Sequence, residues 1–419
     1  MKKIIYIVFL CCICIQMQAQ EYADLIRKNP AMAAANMANY NFEDCRHTPA
    51  PKGYKAFYIS HYGRHGARYS SSDRYADELL PVLRKADSLN LLSENGKAFY
   101  KDFDAVLQEQ SGMYGMLTTL GAKEQRGIAL RMVSRFADVF KGHNGRTEIF
   151  CQSSTVPRCL VSMTNFAHSF DRHAGRLNFQ FVTGEKYYNY LAYGHNPGQS
   201  LKIADQKEDS LRRAVMKPLE LVDYLFVDRH RALELIGDPY DFEKGLYLAS
   251  CVGHLTDYGA CLLSYFPTDI LIRNWEARNA RFYLAYGMAK ETAEYHEEKS
   301  RRLISDIISR AAHALRKDSN IAADFRFGHD TSLLPMLGHI GIEGMHIRPT
   351  FETVNSVWNS SLSICMASNL QFIFYRNKAG DVLVKVLYNE KETTIPAIEA
   401  VFGCYYRWSD LENHLRLLI

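Results

Sequence analysis

The sequence predicts an α/β core carrying an inserted, mostly helical cap. Short apolar runs that read as strands are followed by a polar turn and then a helical pattern, and this happens three times. A stretch from about residue 185 to 286 is helical and aromatic-rich, and the C-terminal part changes to two matched apolar runs around a turn. Strands alternating with helices belong to sheets whose parallel strands are joined by helical crossovers. The 419 residues, 47% of them hydrophobic, suffice for one large domain or a core with a sizeable insertion.

The chain opens with Met1-Lys2-Lys3, an apolar run over 4–15 and a small, polar stretch over 16–20. This reads as a secretory signal peptide, cut near Ala19, and predicts a periplasmic or secreted protein. Lipidation at Cys11, Cys12 or Cys14 is disfavoured, because Leu10, Cys11 and Ile13 precede them instead of small residues. The run is also shorter than the roughly 20 apolar residues that span a bilayer. Loss of Lys2 and Lys3 with the leader takes the formal charge from +4 to +2. That near-balance excludes the bulk basic field of a nucleic-acid binder, so any anion preference must come from clustered arginines. Seven cysteines remain beyond the leader, an odd number with no zinc-site spacing, so at least one thiol is expected to stay free or to pair between chains.

Thr48-Pro49-Ala50-Pro51 is a rigid lead into a first strand over 57–60, which delivers the loop Arg64-His65-Gly66-Ala67-Arg68. Helical patterns follow over 73–107 and 117–140. A second strand over 147–152 ends at Ser153-Ser154 and runs into a helix that carries Arg158. The expected cap then occupies 185–286, leaving 20–184 and 287–419 as the core. A charged helix over 289–317 leads to a third strand over 322–327, the turn Gly328-His329-Asp330-Thr331 and another helix from about 333. Apolar runs 370–375 and 382–388, separated by Arg376-Asn377-Lys378-Ala379-Gly380-Asp381, predict a hairpin. Ser409 with Glu412 three residues on predicts a capping box for the last helix.

The chemistry gathers at the turns. An imidazole between two guanidinium forks, at the carboxyl end of a strand, is a nucleophile beside a phosphate cradle, since arginine matches phosphate oxygens and disfavours protonation of a neighbouring histidine. Glycine at position 66 is expected where a side chain would crowd an incoming group. Parallel strands would bring Arg64, His65 and Arg68 to the same sheet edge as Arg158, His329 and Asp330. His61, four residues before His65, suggests a metal pair, but Gly63 and Gly66 break any helix there and no acidic ligand is placed, so it reads as structural or as a support behind the site residues. His339, Trp275 and the Tyr187-Tyr188-x-Tyr190 cluster read as packing residues. Glu124 and Arg131 read more simply as solvated helix charges.

On these motifs the chain resembles the histidine acid phosphatases, the branch of the histidine phosphatase superfamily that includes phytases and multiple inositol polyphosphate phosphatases. The resemblance rests on Arg-His-Gly-x-Arg at 64–68 and His329-Asp330, with Leu117-Thr118-x-x-Gly121, Ser153-Ser154-x-x-x-Arg158 and Ala367-Ser368-Asn369-Leu370 as further landmarks, and it spans about 54–388. His329-Asp330 is the form of acid phosphatases and bacterial phytases, where the multiple inositol polyphosphate branch usually has His-Ala-Glu. Gly121-x-x-Glu124 and Arg131 resemble that branch instead.

The resemblance implies a phosphoglycerate-mutase-like α/β sandwich and a phosphomonoester hydrolase acting on a small-molecule ester. His65 would form a covalent phosphohistidine, and Arg64, Arg68, Arg158 and His329 would hold the phosphate. Asp330 would protonate the departing alkoxide, giving an acidic pH optimum. No metal or other cofactor is implied. Phytate or another inositol polyphosphate is the implied substrate, with sugar phosphates as the alternative; a mutase-like phosphotransferase and a non-catalytic phosphoester binder are the remaining readings.

Overall fold

The computed structural model describes residues 20–140, 147–170, 177–192 and 198–419, so the expected leader lies outside the described residues. One sheet organises the chain. Its strands are β1 (Lys55–Arg64), β2 (Thr147–Ser153), β3 (Leu177–Thr183), β4 (Ile321–Gly328), β5 (Asn369–Arg376), β6 (Val382–Tyr388), β7 (Lys391–Glu392) and β8 (Tyr405–Arg407). The spatial order is β3-β2-β4-β1-β5-β6-β7, with β8 also on β6.

The pairs β3–β2, β2–β4 and β4–β1 are parallel, and β1–β5 and β5–β6 are antiparallel. The register aligns Arg64 with Gly328 and Ser153 with Phe327, so three parallel strands end at one edge. The alternation of the strands explains their two faces. Ile59, Ile149, Phe325 and Phe327 pack beneath residues of the helices Thr119–Arg135 and Pro157–His168. Tyr58, Tyr62, Phe374 and Val384 face the helices Ala293–Ala314, Asp330–Ile340 and Trp408–Leu417.

A second apolar cluster contains Leu221, Leu225, Phe242, Leu246 and Trp275 from the region expected as a cap. It also contains Leu79 and Leu83 of the helix Arg74–Ser88, Phe99 and Phe103 of the helix Glu94–Gln110, and Tyr22, Ile26 and Ala33–Ala35 from the start of the described chain. The helical layer is therefore assembled from three sequence regions, because amphipathic helices that the core cannot cover bury their apolar faces on each other.

Two local expectations change. Strand β3 is an additional edge strand, with Leu177, Phe179 and Val182 half-buried and Asn178, Gln180, Phe181 and Thr183 exposed. The capping box is absent: Ser409 is the second residue of the helix Trp408–Leu417, its Oγ bonds Asp410 Oδ1 (3.0 Å), and the N-cap is Arg407. Pairing of Arg407 with Leu383 holds the chain extended up to that residue and starts the helix one position before the serine. All seven described cysteines are free thiols. No helix among the described residues is long and apolar enough to cross a membrane.

Charge is buried on the Tyr58 face. Asp324, fully buried, accepts from Arg310 Nε (2.6 Å) and Tyr58 Oη (2.7 Å), while Arg326 Nε donates to Asp306 Oδ2 (2.7 Å). These pairs tie the helix Ala293–Ala314 to β4. Removing one member leaves the other charge uncompensated. Asp324→Ala is therefore expected to destabilise the fold by about 3 kcal/mol, read as a lowered thermal unfolding midpoint.

Candidate active site

The site lies at the aligned carboxyl ends of β1, β2 and β4. Strand β1 ends in Arg64, and the backbone N–H of His65 donates to Gly328 O (3.0 Å), coupling the first turn to the third. The helix Pro157–His168 begins four residues after β2 and carries Arg158 at its second position; the helix Asp330–Ile340 follows β4 with His329 as N-cap. Both helices begin at this edge, where their N-termini favour negative charge. The six residues expected at the site from the sequence thus converge.

His65 is buried, and its Nδ1 lies 2.9 Å from the carbonyl of Gly66. A carbonyl only accepts, so Nδ1 carries the proton and Nε2 keeps a lone pair. Burial, then the charges of Arg158 and Arg64, hold the imidazole well below its ordinary pKa, which favours its neutral form. The His329 ring stands 5.5 Å from it at 72°. His329 Nδ1 accepts from Arg158 Nη2 (3.4 Å), which places the proton on Nε2, 3.2 Å from Ser154 Oγ.

Arg64 is almost completely buried. Its Nη1 donates to the carbonyls of Asn36 (2.5 Å) and Ile364 (2.8 Å), and its Nη2 meets Asp330 Oδ2 at 2.8 Å. Arg68 donates to Tyr69 O (2.7 Å), and burial together with Arg158 and Arg64 pushes it down to about 9. The Nε groups of Arg64, Arg68 and Arg158 are buried without an acceptor. Buried donors left unpaired are costly, and the three guanidinium groups together make the surroundings of His65 strongly positive. Asp330 carries the opposing charge. Burial alone would raise its pKa, but Arg64, Asn36 and Arg68 outweigh it and keep the carboxyl below its ordinary value.

The motif glycines have a steric reason that differs from the one expected. A Cβ on Gly66 would stand 2.4 Å from Gly121 O, and one on Gly121 would stand 2.2 Å from Ala67 O. The crowding is from the backbone of the helix Thr119–Arg135 and not from an incoming group. Thr118 fixes this contact: its N–H donates to Ala67 O (2.9 Å) and its Oγ1 caps the helix by accepting from Gly121 N (3.2 Å).

Glu124 is not a solvated helix charge. It is buried and accepts from the backbone N–H of Ala67 (2.7 Å) and of Tyr40 (2.8 Å), and burial pushes its carboxyl up to about 7 against those bonds. Arg131 forms a two-point pair with buried Glu390. His61 sits among rings, stacked on Phe166 at 5.1 Å, and burial pushes it down to about 3, so it stays neutral and apart from His65. Asn36, Ser154 and Ser162, whose Oγ accepts from Gly66 N (3.1 Å), were not singled out from the sequence. Ser154 lies inside a motif already noted, whereas nothing in the alanine-rich run around Asn36 marks it.

No family model and no curated protein matches the chain. Solved structures do. The multiple inositol polyphosphate phosphatase of Bifidobacterium longum, bound to inositol hexasulfate, is similar with a TM-score of 0.74 and 20% identity, over 92% of this chain and 97% of that one. The phytase of D. castellii follows at 0.67 and 13%, over 93% and 84%, and the phytase of Hafnia alvei at 0.54 and 10%, over 88% and 98%. At these identities the likeness is one of architecture: the chain has the fold of these inositol polyphosphate phosphatases and phytases.

Proposed function

We propose that the protein is a phosphomonoester hydrolase that works through a covalent phosphohistidine on His65. The observation that carries this reading is the neutral imidazole, with its proton held on Nδ1 by Gly66 O, lying among three arginines whose buried Nε donors have no acceptor. Nε2 would attack phosphorus while the ester oxygen leaves, forming an N–P bond as the P–O bond breaks; water would then release phosphate from the histidine. Arg64, Arg68 and Arg158 would hold the non-bridging oxygens and stabilise charge in the in-line transition state, joined by His329 once protonation makes its Nδ1 a donor.

Asp330 would give its proton to the departing alkoxide and afterwards take one from the attacking water. In the unliganded site it is ionised, held so by Arg64 and Arg68. A bound phosphate draws those arginines to itself and adds negative charge beside the carboxyl, so both effects raise its pKa toward the protonated form that the reaction needs. Inositol polyphosphates are the proposed substrates, supported by the fold shared with phosphatases and phytases of that class. Export to the periplasm or beyond is part of the proposal and rests on the sequence of residues 1–19.

His65→Ala should lower phosphate release from any ester by at least about 10³-fold, the scale on which a covalent nucleophile's loss is felt; retained turnover would sink the phosphohistidine. Asp330→Asn should lower release from glycerol 2-phosphate, a poor leaving group, by about 10²-fold or more while sparing p-nitrophenyl phosphate. The pH profile should favour acid: neutral His65 persists well below pH 6.5 and the protonated fraction of Asp330 grows as pH falls. A rate climbing steadily into alkali would overturn that assignment.

A further inference from the structure

The acid is held from a part of the chain that has no place in the motifs. Residues 30–37 form a 3-10 turn whose Ala33, Ala34 and Ala35 are fully or almost fully buried against the helical layer. Ala35 lies at φ 54°, a left-handed conformation that costs an alanine energy and persists only where surrounding contacts impose it. The next residue, Asn36, is 4% exposed. Its carbonyl accepts from Arg64 Nη1, and its Nδ2 donates to Asp330 Oδ2 (2.8 Å). Arg278, from the helix Thr268–Tyr286, reaches Asn36 Oδ1 with Nη2 (3.4 Å).

This geometry leaves one orientation for the amide. Arginine can only donate, so the oxygen end faces Arg278; an ionised carboxylate can only accept, so the NH₂ end faces Asp330. Asn36 and Arg64, which donate to Asp330 Oδ2, thus come from outside its own helix, while Oδ1 accepts from the adjacent Thr331 N–H (2.9 Å). When phosphate draws Arg64 away, Asn36 is the donor that still holds Oδ2. We propose that Asn36 is a positioning residue for the general acid, fixing Asp330 so that its proton is carried on Oδ1, with Arg278 fixing Asn36 in turn. The inference rests on the reading of Asp330 as the acid.

Other charged and titratable groups act on the carboxyl: Arg64 and Arg68 from the first turn, Arg158 and Cys159 from the second, Tyr62 on β1, and Tyr286 on the same helix as Arg278. They are unchanged by a substitution at 36, so a shift on mutation reports the Asn36 bond. That bond favours the carboxylate, and its loss must move the protonation of Asp330 to higher pH.

The test compares Asn36→Leu with Asp330→Asn, using glycerol 2-phosphate and p-nitrophenyl phosphate over a pH series. Asn36→Leu should lower kcat about tenfold or more on glycerol 2-phosphate and less than about threefold on p-nitrophenyl phosphate. Its alkaline limb on glycerol 2-phosphate should move to higher pH. Asn36→Asp keeps the shape and sets a second carboxylate beside the first, so its alkaline limb should move up further; it decides the matter if the leucine variant does not fold. Equal losses on both esters with an unmoved limb would make Asn36 a fold residue only and overturn the inference. If Asp330→Asn discriminates between the esters and the Asn36 variants do not, this inference fails alone; if Asp330→Asn does not discriminate, the acid assignment fails and this inference with it.

Discussion

The buried pair between Arg64 and Asp330, 2.8 Å apart with side chains 1% and 9% exposed, is the contact around which the site is built. It joins the end of β1 to the start of the helix after β4, strands neighbouring in space but separated by more than 250 residues. Neither charge could be buried there alone, since an unpaired ion in a protein interior costs several kcal/mol. The carbonyls of Asn36 and Ile364, turned inward onto the same guanidinium, accept from its Nη1. A single arginine therefore fixes the relative position of four chain segments.

Around that pair the site is overcharged. Three arginines face one carboxylate, and the structure keeps their Nε groups buried without acceptors. Such an arrangement opposes folding locally and is expected where function requires it. Elsewhere buried charges are matched one to one, Asp324 with Arg310 and Arg326 with Asp306 under the sheet, and Glu390 with Arg131 beside it. Burial first, and then the same excess of positive charge, keeps His65 neutral, so the arginines that would bind an anion also help prepare the nucleophile.

Much of the fold was legible because hydrophobic periodicity reports the solvent-facing pattern of each element. Strands β1, β2 and β4 and the β5–β6 hairpin fall on the runs read from sequence. The half-exposed β3 did not, although Leu177-Asn178-Phe179-Gln180-Phe181 alternates as a strand does, and the serine of the supposed cap was displaced by strand pairing at Arg407. The helical layer was seen only in part: its residues 185–286 are helical, but they share a core with Tyr22, Leu79 and Phe99, partners that no local pattern could name.

For the site, the sequence alone determined the residue types and their attachment to strand ends: Arg64, His65 and Arg68 on one turn, Arg158 on another, His329 and Asp330 on a third. Those are local properties, set by a strand's length and the turn after it. Tertiary structure alone decided what each group meets: that Gly66 and Gly121 are glycines because two backbones touch, that Glu124 is a buried acceptor for the Ala67 N–H, and that Asn36 reaches Asp330 across 294 residues. Contacts between distant segments depend on the register of the whole sheet and on how the helices close over it, and no short window of sequence contains that information.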